Sequence, residues 1–194
     1  MLTDADPFIA FERWFREALA SEPADANAMQ IATVDAQGRP SLRTVLLKGV
    51  EEARFLFYTN YNSRKSQQLA HNPAIAASFY WKSMFRQVHI EGEAERLPAA
   101  VSDAYFATRP RGSQIGAWAS NQSEPIASRS VLESRVAELE ARFADAQVPR
   151  PPHWGGYGIT PRRIEFWQGL DHRLHERTCY LRAPTGWERS LLQP

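Results

Sequence analysis

The segments of this chain that favour β-strands follow one another through connections too short for a parallel arrangement. A turn at residues 35–40 (DAQGRP) separates the β-like runs 29–34 and 42–48, and a third run at 54–59 follows closely. Parallel neighbours need a crossover of a dozen or more residues, whereas antiparallel neighbours need only a short turn. Later β-like runs occur at 74–81, 86–96, 157–168 and 173–181. The sequence therefore predicts a mainly β, α+β protein built on an antiparallel barrel or sandwich.

Helical spacing of apolar residues predicts four helices around these strands, at about 7–20, 63–71, 99–108 and 130–143. Ser130 and Glu133 stand three apart at the start of the last one, which is the spacing of a capping box. The segment 111–123 is expected to form a loop, because Pro110 stops the preceding helix. No repeat or change of composition divides the chain, so residues 1–194 are interpreted as a single domain.

The composition excludes several classes of protein. The formal net charge is +1, with 43% hydrophobic and 23% charged residues, so nothing favours binding to nucleic acid or to an acidic membrane. Cys179 is the only cysteine, which excludes an internal disulfide and favours a reducing compartment. The N-terminal stretch has no basic and apolar regions of a signal peptide, and no run approaches about 20 apolar residues. We therefore expect a cytoplasmic protein without a membrane span.

The stretch 164–177 (IEFWQGLDHRLHER) carries the strongest functional signal. If 173–181 forms a strand, Arg173, His175 and Arg177 share one face, because side chains alternate along a strand. Two guanidiniums and an imidazole form a poor hydrophobic face, but they suit anion binding and proton handling. The alternative is a solvated edge strand whose charges deter aggregation.

Adjacent cations also occur where a helix is predicted to begin. Arg64 and Lys65 follow Ser63 at the start of the second predicted helix, where the helix dipole disfavours cations but bare N–H groups favour an anion. This conflict predicts a phosphate site, with an exposed basic turn as the alternative. Arg43 and Lys48 lie at opposite ends of an earlier strand with opposite parity, so we do not expect them to bind the same anion.

A second phosphate site is predicted around a proline break. Tyr105, Arg109 and Ser113 are spaced by four, so Tyr105 and Arg109 can share a helix face while Ser113 follows the proline. A phenol, a guanidinium and a hydroxyl together suit a phosphate group. Alternatively, Tyr105 belongs to the core and Arg109 to the surface.

The sequence lacks the motifs of several nucleotide-binding and hydrolytic proteins. It contains no GxGxxG, no GxxxxGK[ST] and no GxSxG, so a Rossmann dinucleotide site, a P-loop and a nucleophile elbow have no support. His172 and His175 are not accompanied by HExxH or a carboxylate cluster, so no metal site is predicted. Four tryptophans are expected mainly in the core, although one could wall a flat heterocycle: Trp81, Trp118, Trp154 and Trp167.

Several long segments together resemble one protein family. They are RTVLLK (43–48), FYTNYNSRK (57–65), RQVHIEGEAERL (86–97), YFATRPRGSQIGAWAS (105–120), NQS (121–123), EFWQG (165–169) and RLHER (173–177). In this order they closely resemble the pyridoxine/pyridoxamine 5′-phosphate oxidases, over most of the chain after about Pro7. The resemblance implies an FMN-binding split β-barrel and a homodimer with active sites at its interface.

The resemblance also implies a role for each charged group. It implies these FMN contacts: Arg43, Val45, Leu46, Lys48, Tyr58, Thr59, Arg64, Lys65, Gln87, Gln122, Ser123, Trp167 and Arg177. Of these, Gln122 and Ser123 are expected to reach across from the partner subunit. It implies these substrate contacts: Lys48, Tyr105, Arg109, Ser113, Arg173 and His175. Arg173 and His175 are the expected catalytic pair, with His175 an orienting hydrogen-bond partner rather than an obligatory base.

The implied reaction is the oxidation of pyridoxine 5′-phosphate or pyridoxamine 5′-phosphate to pyridoxal 5′-phosphate, with O₂ giving H₂O₂ and the amine also giving ammonia. One alternative is a related split-barrel flavin oxidase that acts on another substrate, such as a phenazine precursor. Another is a non-catalytic carrier of FMN or pyridoxal phosphate. The predicted phosphate-binding set argues against the first alternative, and the pair Arg173 and His175 argues against the second.

The sequence departs from the family pattern at both ends. Several relatives have a basic Arg-Arg-Glu-Tyr-like segment that closes over the substrate, whereas this sequence starts MLTDADP. The usual Arg-Leu-Ala-Pro-like ending is replaced by SLLQP at 190–194. Neither departure touches the residues assigned to FMN or to the substrate phosphate.

Overall fold

The computed structural model describes residues 2–194, in which nine strands form one antiparallel sheet flanked by five α-helices. The strands are β1 (Ala28–Val34), β2 (Pro40–Leu46), β3 (Gly49–Glu51), β4 (Arg54–Asn60), β5 (Ala74–Trp81), β6 (Arg86–Arg96), β7 (Trp154–Gln168), β8 (Glu176–Arg182) and β9 (Trp187–Leu192). The helices are α1 (Pro7–Ser21), α2 (Arg64–His71), α3 (Ala99–Ala107), α4 (Arg111–Ala119) and α5 (Arg129–Arg142). The predicted antiparallel α+β architecture is confirmed.

Strand β7 organises the sheet, because it is long enough to pair with three neighbours. Strand β6 runs along one edge of it, while the other edge pairs first with β4 and then with β8. The order across the sheet is therefore β2-β1-β5-β6-β7-β4-β3, with β8 and β9 branching off β7. This division lets the sheet curl into a half-barrel instead of remaining flat.

A β-bulge marks the point where β7 changes partner. The register between β6 and β7 shifts between Glu91 and Gly92, which leaves Arg162 as the extra residue of β7. A Cβ atom on Gly92 would lie only 2.1 Å from the Thr160 carbonyl oxygen. Because only glycine permits so close an approach of two backbones, Gly92 makes the bend possible.

Helix α1 closes one side of the barrel core. Its N-cap, Asp6, accepts a hydrogen bond of 2.9 Å from the Phe8 amide. The buried ring of Phe11 lies 4.9 Å from Phe55 and 5.3 Å from Phe79, measured between ring centroids. Burial of each such ring contributes roughly 1.5–3 kcal/mol, so this aromatic cluster holds the helix on the sheet.

A smaller apolar cluster attaches helices α3, α4 and α5 to the start of β7. Its buried side chains are those of Phe106, Ile115, Phe143, Val148 and Trp154. The cluster therefore fixes the three helices beside β4 and β7, next to the N-terminus of α2. None of the helices described within residues 2–194 combines the length and the apolar character needed to cross a membrane.

The connection between β7 and β8 differs from the predicted strand at 173–181. Residues Asp171–Arg173 form a 3₁₀ turn, and β8 begins only after it. The last two residues of this turn have φ angles of 57° and 62°, which no strand permits. The predicted common strand face of Arg173, His175 and Arg177 is therefore wrong, because only Arg177 lies in a strand.

Two further predictions near the helices need correction. Residues Arg111–Ala119 form α4 instead of a loop, because Ile115 buries its side chain in the smaller cluster. Helix α5 has Ser128 at its N-cap without a side-chain capping bond, so the predicted capping box of Ser130 and Glu133 does not form. The sequence patterns also do not predict the short strands β3 and β9.

Candidate functional site

A cleft of about 980 Å³ lies between β2, β4 and the start of α2 on one side and α3 and α4 on the other. Most residues proposed from the sequence line it: Arg43, Val45, Leu46, Lys48, Tyr58, Thr59, Arg64, Lys65, Tyr105, Arg109, Ser113, Gln122 and Ser123. Five of these are Lys or Arg, and none of the described residues lining the cleft is Asp or Glu. The fold therefore concentrates positive charge here, although the chain as a whole is nearly neutral.

A buried polar network orients Arg43 at the edge of the cleft. One guanidinium nitrogen donates to the Thr33 hydroxyl at 2.7 Å, and the other donates to Ser41 and lies 3.5 Å from the Gln68 oxygen. All three acceptors are neutral, so they fix the guanidinium without neutralising it. Burial lowers the pKa of Arg43, and the nearby charge of Arg64 lowers it further.

Lys65 is a strongly perturbed cation of the cleft. Its ammonium donates to Thr59 Oγ1 at 2.9 Å, to Ser63 Oγ at 3.2 Å and to Gln122 Oε1 at 2.8 Å. Burial lowers the pKa of Lys65 to about 8, and the charge of Arg43 adds to the effect. A bound dianion would offset both of these costs, because it supplies the missing opposite charge.

The segment after α4 folds back onto α2 of its own chain. The Gln122 side-chain oxygen accepts from Lys65 and also from the Thr59 hydroxyl at 3.0 Å. The Ser123 hydroxyl accepts from the Arg64 amide at 3.2 Å. Both residues thus line the cleft of their own protomer, which corrects the expectation that they reach across from a partner. A left-handed backbone at Ser123, with φ of 76°, makes the tight turn that brings them there.

An aromatic stack holds Arg109 on the opposite wall. The rings of Tyr58 and Tyr105 lie 3.9 Å apart between centroids, and the Trp154 ring is nearly parallel to both, 5.5 Å from Tyr58 and 6.2 Å from Tyr105. The Arg109 guanidinium lies 4.5 Å from the centre of the Trp154 ring. Its Nη1 atom is buried and has no hydrogen-bond partner among the residues described. Because such a donor is costly unless it is satisfied, it marks a place for an acceptor atom of a ligand.

Three residues that shape this site are not individually assigned to it by the sequence patterns. Trp154 is buried, as predicted for a core tryptophan, yet it also lines the cleft and supports Arg109. Thr33 and Gln68, which orient Arg43, are joined by a hydrogen bond of 2.5 Å although they stand 35 positions apart. They meet only because α2 packs on β1, so no local pattern reveals them.

The donor set fits two phosphate-bearing molecules. On one wall, the charges of Arg64 and Lys65 lie at the N-terminus of α2, where the N-cap residue Ser63 makes no side-chain capping bond. On the other wall, Arg109 combines a guanidinium with the hydroxyls of Tyr105 and Ser113. The cleft can therefore hold FMN by its phosphate and a second phosphorylated molecule beside it.

Five residues proposed from the sequence do not line this cleft: Gln87, Trp167, Arg173, His175 and Arg177. Gln87, Trp167 and Arg177 are direct register partners across β6, β7 and β8. Their side chains therefore form one row on the sheet face opposite the core. The structure brings the predicted residues together as two separate groups and does not join the two groups within one chain.

The loop at 169–175 presents His175 beside this row. The His175 ring lies 4.7 Å from the Trp167 ring between centroids, and its Nδ1 accepts a hydrogen bond of 3.1 Å from the Leu170 amide. Because an amide N–H can only donate, Nδ1 carries no proton, and the neutral ring is protonated at Nε2. His175 therefore presents an N–H donor to its surroundings.

The backbone of the same loop is strained next to His175. His172 and Arg173 both adopt left-handed conformations, with φ of 57° and 62°. Each such residue costs about 1–3 kcal/mol, and strain of this kind is concentrated at functional sites. The loop thus holds Arg173 in a conformation that the rest of the fold must maintain.

Comparison with known proteins assigns both parts of the chain to one family. Residues 15–143 match the family model described as pyridoxamine 5′-phosphate oxidase, and residues 154–194 match the pyridoxine 5′-phosphate oxidase C-terminal dimerisation region. A pyridoxine/pyridoxamine 5′-phosphate oxidase of Rubrobacter xylanophilus is 58% identical over 191 residues, which cover 98% of this chain and 88% of the relative. One from Sphingopyxis alaskensis is 57% identical over 189 residues, which cover 97% and 88%.

Solved structures have the same fold. PhzG from Burkholderia lata, in complex with tetrahydrophenazine-1-carboxylic acid, is 29% identical, with a TM-score of 0.93 over 98% of this chain and 94% of that chain. A pyridoxamine 5′-phosphate oxidase-related, FMN binding protein from Nostoc punctiforme is 17% identical, with a TM-score of 0.76 over 95% of each chain. The predicted split-barrel fold is confirmed by these similarities.

The lowered pKa of Lys65 predicts that FMN binding depends on pH. Below about pH 8 the ammonium is charged and attracts the phosphate dianion, whereas above that pH the free protein loses the proton that binding requires. The Kd of FMN for the apoprotein should therefore rise by up to about tenfold per pH unit from about pH 8 to about pH 9.5. Titration of the apoprotein with FMN, followed by flavin fluorescence, measures this Kd at each pH.

Two controls isolate Lys65 as the cause. Lys65→Arg keeps the charge over this range and should flatten the pH dependence. Riboflavin has no phosphate, so its binding should show no such dependence with either protein. An equally steep dependence in the Lys65→Arg variant would assign the effect to another group.

Proposed function

This chain belongs to the pyridoxamine 5′-phosphate oxidase family, and we propose that it converts pyridoxine 5′-phosphate and pyridoxamine 5′-phosphate into pyridoxal 5′-phosphate. The alcohol loses two hydrogens to give the aldehyde, whereas the amine loses two hydrogens, takes up water and releases ammonia. In both cases O₂ takes up two electrons and two protons and leaves as H₂O₂. The observation that carries this proposal is the cation-rich cleft, in which a buried Arg109 donor has no partner among residues 2–194.

The protein contributes binding and orientation, while the redox chemistry comes from its cofactor. FMN, the cofactor of this enzyme, supplies when bound a two-electron acceptor for the C4′ position of the substrate. Arg43, Arg64 and Lys65 bind the phosphate of FMN from one wall of the cleft. The remaining FMN contacts on this wall are Val45, Leu46, Lys48, Tyr58, Thr59, Gln122 and Ser123.

The substrate phosphate is bound by a second set of residues. Tyr105, Arg109 and Ser113 hold it from the α3 and α4 side, together with Lys48 at the end of β2. Anchoring both phosphates would fix the substrate and the cofactor relative to each other, which removes much of the entropic part of the barrier. The oriented Arg109, with its free Nη1 donor, is the central group of this set.

The group on the outer sheet face completes the site from a second copy of the chain. The dimerisation region at 154–194 supports a homodimer. Tyr80 and Leu181 are 49% and 45% exposed on the same face as the row Gln87–Trp167–Arg177, and a dimer contact would cover them. In this dimer, the outer row of one subunit meets the cleft of its partner.

Arg173 and His175 then hold the pyridine ring of the substrate bound in the partner's cleft. The guanidinium of Arg173 would bind polar groups of the substrate ring. The neutral His175 donates from Nε2 and does not act as a base through Nδ1, because that atom accepts from the Leu170 amide. Hydride loss from an alcohol or amine needs only modest help with the proton, which agrees with an orienting role.

Anaerobic reduction of the bound flavin tests the proposed function. The FMN-loaded protein is mixed with pyridoxine 5′-phosphate or pyridoxamine 5′-phosphate in the absence of O₂, and the flavin absorbance near about 450 nm is followed. Rapid loss of this absorbance is expected, with recovery in air and with pyridoxal 5′-phosphate as product. A flavin that stays oxidised with both substrates would contradict the proposal and favour a non-catalytic carrier.

A phenazine-type oxidase is the second candidate, because the PhzG structure superposes closely on this chain. The ligand in that structure is a carboxylic acid without a phosphate. Arg43, Arg64 and Lys65 are assigned to FMN in either case, which leaves Lys48 and Arg109 for the substrate. Two cations, one with an unpartnered buried donor, suit a phosphate dianion better than a single carboxylate. Reduction of the flavin by a dihydro- or tetrahydrophenazine carboxylate, but not by the B6 phosphates, would reverse this preference.

Removal of the Arg109 side chain should affect the substrate phosphate specifically. Arg109→Ala is expected to raise KM for pyridoxine 5′-phosphate by about 10- to 100-fold, with a smaller change in kcat, because a charged hydrogen bond contributes about 1.5–3 kcal/mol. Steady-state kinetics measure both constants. Arg129→Ala, which removes an exposed charge from α5, is the matched control and should leave KM unchanged. An unchanged KM in Arg109→Ala would show that the phosphate lies elsewhere.

Two substitutions of His175 separate its two nitrogens. His175→Asn keeps an acceptor near the Leu170 amide but removes the distal N–H, so kcat/KM should fall by about 10- to 100-fold while the Tm stays unchanged. His175→Gln places an amide near the former Nε2 but loses the inner acceptor, so it should recover part of the activity at a lower Tm. Wild-type activity in His175→Asn would show that Nε2 does not contact the substrate.

A further inference from the structure

We propose that Glu165 is a positioning residue that orients Arg177 toward the FMN held in the partner's cleft. The inference rests on the proposed function, because it takes Arg177 as an FMN contact across the dimer. Glu165 lies in β7, two residues before Trp167, and its side chain shares the outer sheet face with Trp167 and Arg177. The Glu165 side chain is ionised although very little of it is exposed to solvent.

Arg163 and Arg177 each donate a hydrogen bond to one oxygen of the Glu165 carboxylate, and we call these three side chains the Glu165 clamp. The residue is only 4% exposed, and its Oε1 accepts from Arg177 Nε at 2.7 Å. Its Oε2 accepts from Arg163 Nη2 at 2.5 Å. Burial opposes ionisation of Glu165, but the hydrogen bonds from both arginines outweigh it and lower the pKa of the carboxyl. Both oxygens of a charged carboxylate are therefore committed to fixed donors.

The clamp leaves one end of Arg177 available. Its Nε donates to Glu165 and its Nη1 donates to the Gln193 carbonyl at 2.9 Å, which fixes the plane of the guanidinium. Its Nη2 donates no hydrogen bond to any group among residues 2–194, and 31% of the side chain is exposed. Arg177 is therefore held rigidly by its inner nitrogens while the outer nitrogen remains free for a ligand.

The charge distribution separates the two arginines that Glu165 binds. Arg163 also donates to Glu91 at 2.9 Å, so it is shared between two carboxylates. Among residues 2–194, Arg177 has only Glu165 as a carboxylate partner, so it is the less neutralised of the two arginines that Glu165 binds. Arg163 therefore stabilises the sheet. Arg177 has a fixed orientation, and its positive charge is available to a ligand bound in the partner subunit.

A double-mutant cycle distinguishes positioning from simple support of the sheet. Apoprotein is titrated with FMN by fluorescence, and the Tm of each variant is measured separately. Glu165→Gln and Arg177→Met should each raise the Kd of FMN by about tenfold, and the double variant should bind no more weakly than Arg177→Met alone. Arg163→Met is the matched control: it should lower the Tm but leave the Kd within about threefold of wild type, because the bond between Glu165 and Arg177 remains.

The outcomes separate this inference from the proposed function. If Arg177→Met leaves the Kd unchanged, Arg177 does not contact FMN, and both the assignment and the inference fail. If Arg177→Met weakens binding but Glu165→Gln does not, or if the two effects add in the double variant, only the positioning role of Glu165 is overturned. If Glu165→Gln alone does not fold, Glu165→Gln combined with Arg163→Met, which removes the stranded guanidinium, is compared with Arg163→Met in the same titration.

Discussion

The whole arrangement depends on the contact between β6 and β7 at Gly92, where two backbones approach more closely than any side chain would allow. The bulge at this point divides β7 into one half that pairs with β4 and another that pairs with β8. The β4 half carries Tyr58 and Thr59 into the cleft, and the β8 half carries Arg177 onto the outer face. The residues of the outer row therefore do not line the cleft of their own chain, and the proposed site that uses both is formed between two copies of the chain.

The two groups of cations differ in their hydrogen-bond partners, which are neutral in the cleft and negatively charged on the outer face. In the cleft, Arg43 and Lys65 bond only to neutral hydroxyl, amide and carbonyl groups, and burial makes their charges unfavourable in the free protein. That unfavourable free energy is released when a dianion binds, so it strengthens ligand binding at a cost in stability. On the outer face, Arg163 and Arg177 bond to carboxylates, which orient them and offset their charge. The first arrangement suits the capture of phosphates, and the second suits precise placement of one side chain.

Local patterns in the sequence predict the parts of the site that lie within a single element. The basic N-terminus of α2 and the spacing of Tyr105, Arg109 and Ser113 both lead to residues that line the cleft. The prediction fails at Arg173, because a strand was inferred from alternation where the chain makes a left-handed turn. Conformations with positive φ at residues other than glycine leave no periodic trace in a sequence, so only the folded chain reveals them.

By itself, the amino-acid sequence determined the antiparallel architecture, the positions of most strands and two of the residue sets that line the cleft, since turn length, side-chain alternation and charge at a helix end are local properties. Only the tertiary structure decided that Gln122 belongs to its own chain's cleft, that Trp154 supports Arg109 and that Glu165 clamps Arg177. These contacts join residues that are far apart in sequence or on neighbouring strands, and their geometry depends on how the sheet curls around β7. Long-range packing sets that curvature, and no short segment of the chain contains it.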